Sequence, residues 1–167
     1  MEIAFFTQRL NVTPILKANS IDPDTVVSIL TPKATAQLPD DWQTITSNQA
    51  AQKWLSQRLV EGQVYKISEK DSQSLIGFLF TYETNTGTGL ELRLGYLLSE
   101  QYWGKGLASE LIGGLITECK QQGVSTLMGG VTKDNIASAK VLTKNGFVLV
   151  GNNSENSGET EFYEYRF

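Results

Sequence analysis

The stretch GYLLSEQYWGKGLA, residues 95–108, carries the chain from strand-forming residues into helix formers. Upstream of it, Leu90, Leu92, Leu94, Tyr96 and Leu98 alternate with Glu91, Arg93, Gly95 and Leu97, the pattern of a strand with two distinct faces. Downstream, Leu107, Leu111, Leu115 and Ile116 recur at helical spacing, so a helix is expected from about Gly104 to Gln122. Between them, Gly104 and Gly106 bracket Lys105. Glycine costs conformational entropy, so two of them at a helix start call for a reason. A helix N-terminus exposes unpaired N–H groups and the positive end of the macrodipole, and glycines remove the side chains that would block a phosphate. The stretch therefore reads as an anion cradle, with Lys105 adding charge.

Two familiar cradles do not fit. A P-loop needs four residues between its first glycine and Gly-Lys, followed by Ser or Thr. A dinucleotide fingerprint needs G-x-G-x-x-G, and Ser109 stands where its third glycine belongs; the acid about 20 residues on is also missing.

Working outward, residues 3–13 are apolar and β-branched and predict a first strand, ended by Pro14. Asp22-Pro23-Asp24 predicts a helix start, with Val26, Val27, Ile29 and Leu30 as its apolar face and Pro32 as its end. Residues 33–46 read as loop. Ser47 caps a second helix over 48–61, and Gly62 ends it. Strands are expected over 63–69, 74–83 and 90–98, with the turn of the last pair in NTGTG. After the long helix come a strand over 125–131, a helix over 135–145 stopped by Gly146, and closing strands at 147–150 and 161–167 around NNSENSGET. The order β-α-α-β-β-β-α-β-α-β-β predicts one α/β domain with a mixed sheet over residues 1–167.

Composition narrows the chemistry. The 167 residues are 40% hydrophobic and 19% charged with a net charge of −4, an ordinary soluble globule without the basic face of a nucleic-acid binder. There is one cysteine, Cys119, and no histidine, which excludes an internal disulfide, a Cys/His zinc site, a histidine base and a Ser-His pair. Cys119 reads as a small buried helix residue rather than a nucleophile. No run approaches the ~20 apolar residues of a membrane span, and Glu2 stands where a signal peptide carries positive charge, so a cytoplasmic location is expected.

The glycine loop resembles the acyl-CoA pyrophosphate loop of the GNAT N-acetyltransferase superfamily, [QR]-x-x-G-x-[GA], as Trp103-Gly104-Lys105-Gly106-Leu107-Ala108; the register Gln101-x-x-Gly104-x-Gly106 fits as well. Trp103 at the first position is similar to the ribosomal-protein acetyltransferase branch (RimJ/RimL-like), which acetylates protein N-termini and often reads GYWL…WGKGYA. TQRLNVTPI near the N-terminus looks like that branch's opening strand. DNIASAKVLTKNGF, residues 134–147, is similar to its N-x-x-S-x-x-V-L-x-x-x-G-F block. The two motifs, in this order with a strand between, carry the resemblance over nearly the whole chain. It implies an α+β fold with a mixed, mostly antiparallel central sheet flanked by helices, and transfer of acetyl from acetyl-CoA to an amine by direct attack, with no metal.

By the same resemblance, the backbone of Tyr96, Leu97 and Leu98 pairs with the pantetheine arm, and residues 103–108 hold the pyrophosphate. Asn135 holds the cofactor arm and Lys140 reaches phosphate. Many members place a Tyr proton donor seven residues after the Asn; here that position is Leu142, and Ser138 becomes the candidate acid. Many place a Glu base where this chain has Arg93; Glu91, on the same strand face, is the candidate base, with Glu155 as second choice. The acceptor, a small amine or a protein N-terminus, would meet a mouth carrying Asp22, Asp24, Asp40, Asp41, Glu155, Glu159 and Glu161, with Trp42 and Trp54 either lining it or in the core. A monomer or homodimer is expected. Two other readings remain at this stage: a non-catalytic acyl-CoA-binding domain, favoured by Arg93 and by Leu142, and a nucleotide binder, disfavoured by the loop spacing.

Overall fold

A computed structural model describes residues 1–87, 89–153 and 159–167. Its centre is an eight-stranded sheet in the order β1-β2-β3-β4-β5-β6-β8-β7, with β1 Phe5–Phe6, β2 Leu10–Pro14, β3 Gln63–Glu69, β4 Leu75–Thr86, β5 Gly89–Leu98, β6 Thr126–Thr132, β7 Val148–Asn153 and β8 Thr160–Arg166. Among the described residues only β5 and β6 pair in parallel. The helices are α1 Pro23–Ile29, α2 Pro32–Thr35, α3 Asn48–Glu61, α4 Leu107–Gln121 and α5 Ile136–Lys144. The mixed, mostly antiparallel sheet between helices is the architecture expected from the sequence.

Alternation along the strands divides the core between the two sheet faces. On one face Leu92, Leu94 and Leu98 of β5 pack with Leu111, Leu115 and Cys119 of α4 and Leu142 of α5. On the other, Leu97 packs with Phe78 and Phe80 of β4, Val26 and Ile29 of α1, and Trp54 and Leu55 of α3. Trp42 and Trp54 both belong to this second core, their ring centroids 5.4 Å apart in an edge-to-face pair. Cys119 is fully buried, and burial pushes its thiol up to about 12, with Glu118 adding to the shift.

Three local features depart from the sequence reading. The first predicted strand is a hairpin: Phe5 pairs with Val12, and Thr7 N donates to Leu10 O at 2.9 Å across the bend. The hairpin lies against α4 because Gly114 leaves room; a Cβ there would sit 2.6 Å from Phe5 Cε2. Pro32 ends α1 but also begins α2, where it fills the first helical position after a Thr31 cap, whose Oγ1 accepts from Ala34 N at 3.2 Å. The long helix starts at Leu107, with Gly104 and Gly106 in the turn before it.

Candidate active site

The parallel pairing of β5 with β6 runs only from Glu91↔Thr126 to Leu94↔Gly129, although β5 continues to Leu98 and β6 to Thr132. Beyond Leu94 the two strands splay, and the sheet opens a wedge at its centre. Ser99 N donates to Ile76 O of β4, while Leu90 O, on the opposite edge of β5, accepts from Ser125 N. Successive residues of a strand turn to opposite edges, so the even-numbered residues face β6. The N–H groups of Tyr96 and Leu98 and the Tyr96 carbonyl therefore border the wedge. The Leu98 carbonyl is taken by Trp103 Nε1 at 2.8 Å. Leu97 turns its backbone to β4 instead; its carbonyl oxygen lies 2.2 Å from where a Cβ on Gly77 would be. Of the three residues expected to lend backbone to a ligand, Tyr96 and Leu98 have an open edge, and Leu97 borders the cleft with its backbone turned to β4.

At the wedge's end lies the glycine turn. Gly104 (φ +69°) and Gly106 (φ +76°) adopt the left-handed conformation, and Gly106 is the N-cap of α4. Among the described residues nothing lies within 4 Å of a Cβ built on Gly104, and only Arg9 Nη2, at 3.6 Å, lies near one on Gly106. The first intrahelical bond here is Glu110 N to Gly106 O at 3.1 Å, so the preceding amides of Leu107, Ala108 and Ser109 remain for a ligand. Those residues line a cleft of about 590 Å³ together with Trp103, Gly104, Lys140 and Lys144. Bare, helix-capping backbone with lysines at its rim fits a pyrophosphate.

The turn is braced from the far end of the chain. Arg9, at the tip of the first hairpin, donates from Nη1 to Lys105 O at 2.8 Å and from Nε to Glu110 Oε2 at 2.6 Å. Glu110 Oε1 also accepts from Thr7 Oγ1 and Arg9 N. Burial pushes the Glu110 carboxyl up, but these three hydrogen bonds and the guanidinium charge outweigh it and hold the group below the usual carboxylate range.

Helix α5 supplies the remaining groups. Asn135 caps it, its Oδ1 accepting from Ser138 N at 3.2 Å. Tyr96 Oη donates to Ser138 Oγ at 3.3 Å. Burial raises the Tyr96 phenol, the bond to Ser138 acting in the opposite sense, so the tyrosine stays a donor at neutral pH. Leu142 is buried and packs on Gly129, where a Cβ would lie 2.9 Å from Leu142 Cδ1. A second, more polar cleft of about 860 Å³ lies across the wedge, lined by Gly95, Gly130, Gln37, Asp40, Thr132 and Glu159 among others. Both clefts share Tyr96, Asn135 and Ser138 in their walls.

The structure thus gathers Tyr96, Leu98, Trp103, Gly104, Gly106, Leu107, Ala108, Asn135, Ser138 and Lys140 around one cleft. Trp103 carries Lys33 Nζ 5.6 Å above its ring. Lys105 Nζ lies 5.3 Å over Tyr102 rather than on the cleft wall. Glu91 is not brought in. It is five residues from Tyr96, about 16 Å along the strand, it lines neither cleft, and its carboxylate accepts from Arg93 Nε at 3.0 Å. Glu155 lies outside the described residues. Of the other acids expected at the acceptor mouth, Asp40 and Glu159 line the second cleft, Glu159 paired with Lys133 at 2.5 Å. Asp22 caps α1, Asp41 pairs with Arg58, and Glu161 accepts from Tyr163 Oη. Three contributors escaped the sequence reading: the Tyr96 hydroxyl, Arg9 and Lys144. Arg9 stood in the quoted TQRLNV stretch, but nothing local marks its partner.

Among the described residues no cluster of His, Cys, Asp and Glu is placed to hold a metal, and no helix is long and apolar enough to cross a membrane. The family model described as "Acetyltransferase (GNAT) domain" matches residues 9–148. No curated protein matches the chain. Among solved structures, a GNAT-family acetyltransferase from Bacillus anthracis superposes with a TM-score of 0.82 at 13% identity, covering 98% of both chains. RimL, a ribosomal-protein α-N-acetyltransferase solved with coenzyme A, gives 0.80 at 20% identity, again over 98% of both. MccE, a microcin self-immunity acetyltransferase solved with acetyl-CoA and AMP, gives 0.78 at 16% identity over 96% of this chain and 93% of its own. At these identities the likeness is one of fold.

Proposed function

Starting from a chain that belongs to the GNAT acetyltransferase family, and so is an acyltransferase, we propose that it moves acetyl from acetyl-CoA to a primary amine, on a protein N-terminus or a small molecule, in a ternary complex. The observation that carries this reading is the meeting of the two clefts at Tyr96, Asn135 and Ser138, beside the open edge of β5. One cleft suits a long, phosphate-bearing donor; the other suits a polar acceptor. A thioester at the junction lies within reach of both.

In this proposal the α4 amides and glycine turn hold pyrophosphate, Lys140 and Lys144 add charge at the rim, and the Tyr96 and Leu98 amides hold the pantetheine arm. One of those two amides polarises the thioester carbonyl. The neutral amine attacks, the C–N bond forms and the C–S bond breaks. Ser138, held in place by the hydrogen bond it receives from Tyr96, gives its proton to the departing sulfur and recovers one from the attacking nitrogen, directly or through water, so that amide and thiol are both released neutral. The carboxylates of Asp40 and Asp134 at the second mouth, where Lys133 offsets Glu159, favour a cationic acceptor. A ribosomal-protein N-terminus is the acceptor suggested by the motif resemblance and by the RimL likeness. A cytoplasmic setting belongs to the same proposal.

A second reading, an acyl-CoA-binding domain without turnover, is favoured by one observation: Glu91 lies outside both clefts. Calorimetric titration with acetyl-CoA, with NAD and ATP as controls, tests the donor assignment; selective micromolar binding is expected, and no binding defeats it. Thiol release in the presence of amines then separates the two readings.

A further inference from the structure

Most glycines around the wedge answer to the fold itself. Gly104 and Gly106 need positive φ, Gly129 makes room for Leu142, and Gly77 for the Leu97 carbonyl. Gly95 and Gly130 answer to neither demand. Neither has a positive φ. Among the described residues, a Cβ on Gly95 would meet nothing within 4 Å, and one on Gly130 would make only ordinary contacts, the nearest Phe162 Cε1 at 3.4 Å. Yet both interrupt strands, where glycine is a poor choice: it forfeits packing and costs entropy. A strand glycine marks a bulge, a tight bend or close approach by a ligand; the registers β4–β5 and β6–β8 run unshifted through Gly95 and Gly130, unlike β7–β8 at Gly151, and the cleft above both fits approach by a ligand.

Their positions agree. Leu94 and Gly129 are the last paired residues of β5 and β6. Gly95 and Gly130 are the next residue on each strand, so both turn to the opposite face, the side of α1 and α3. Both line the second cleft. They form a side-chain-free floor on either side of the point where the strands part, one residue from Tyr96. The walls are hydrogen-bonding groups: Gln37, Gln43, Thr132 and Thr160 line the same cleft, and Thr132 Oγ1 donates to Gln37 Oε1 at 2.9 Å, tying β6 to the segment after α2.

We propose that Gly95 and Gly130 are the specificity-determining floor of the acceptor site: their missing side chains let an extended, amide-bearing acceptor lie against bare backbone and deliver its terminal amine to the wedge. This rests on the assignment of the second cleft to the acceptor. The two glycines shape the acceptor's path and leave the donor cleft alone.

The test compares wild type with Gly95→Ala, Gly95→Val and Gly130→Val. Tetra-alanine amide and methylamine are the probe acceptors, followed by thiol release, with acetyl-CoA binding and Tm measured alongside. Wild type should use tetra-alanine amide with a kcat/KM at least tenfold above methylamine. The valine variants should lose tenfold or more on the peptide, through KM, and less than threefold on methylamine, with Gly95→Ala intermediate. Acetyl-CoA Kd should stay within twofold and Tm should not fall, since valine suits a strand better than glycine. Undiminished peptide turnover in the valine variants overturns the proposal, and so does a wild type with no preference for the peptide. A Tm lowered by several degrees in the valine variants would make the glycines structural and also overturn it. Failure of wild type to bind acetyl-CoA would instead overturn the acetyl-transfer reading, and the floor with it.

Discussion

Tyr96 and Ser138, 42 residues apart, meet through a 3.3 Å hydrogen bond at the junction of the two clefts, the tyrosine donating and the serine accepting. With one lone pair of its oxygen engaged by Tyr96, Ser138 is left to direct its own proton into the wedge. Ser138→Ala should therefore lower kcat about 100-fold, within the usual range for a lost proton donor, with acetyl-CoA Kd within twofold. Tyr96→Phe should lower kcat less, because the serine is kept but loses its anchor. Stopped-time thiol-release assays with parallel calorimetry check both, and an unchanged kcat in Ser138→Ala removes it from the role.

Gly106 carries two demands at once: a φ of +76° at the α4 cap and clearance above the helix amides. Gly106→Val meets neither. It should weaken acetyl-CoA binding at least tenfold and lower stability by about 1–2 kcal/mol, the cost of a left-handed β-branched residue. Urea unfolding and calorimetry read the two effects separately. Normal acetyl-CoA binding by a folded variant would contradict the pyrophosphate assignment.

The brace of Arg9 and Glu110 makes the turn sensitive to acid. The Glu110 carboxyl is held below its unfolded value, near 4.3 for a free glutamate. Its contribution to stability is therefore fully present above that pH and is lost as pH falls through the lower, folded value. Glu110→Gln should be less stable than wild type at pH 7, with the gap closing in acid, and should bind acetyl-CoA more weakly at pH 7. Urea midpoints between pH 2.5 and 7 give the gap directly; a constant gap across that range would remove the charge from the explanation.

Cys119 should be chemically silent while the protein is folded. It is fully buried on α4, and its thiol, pushed up to about 12, carries almost no thiolate at pH 8. A chromogenic disulfide reagent should label it within minutes in urea and label the native protein only at the pace of unfolding. Rapid stoichiometric labelling without denaturant would contradict the burial.

The legible parts of this protein were those whose cause is local. Ser47 is a cap because its side-chain oxygen reaches an amide three residues on, as it does to Ala50 N. The alternation from Leu90 to Leu98 reappears as two core faces because a strand turns successive side chains to opposite sides. The first hairpin was illegible for the same reason. Thr7-Gln8-Arg9 contains no glycine, proline, asparagine or aspartate to announce a turn, and it bends where it does to lie on Gly114 of α4.

Glu91 and Arg9 mark the boundary most clearly. Glu91 was the candidate base because the resembled family carries a Glu where this chain has Arg93 and Glu91 shares that strand face, but position along a strand carries no information about which stretch of it borders an opening; the end of β5–β6 pairing at Leu94 leaves Glu91 inside the closed part of the sheet. Arg9 looked like one residue of a strand, and its partner Lys105 is 96 residues away. Local sequence was enough for α1, α3, α4 and α5, for the Asp22 and Ser47 starts of α1 and α3 and for the two-faced strand β5, since hydrogen bonding and sterics within a few residues suffice for each. Where the sheet splays, and that Tyr96, Ser138, Gly95 and Gly130 border the opening, was decided by tertiary structure, because those relationships exist only once helices pack on both faces and strands distant in the chain take their register.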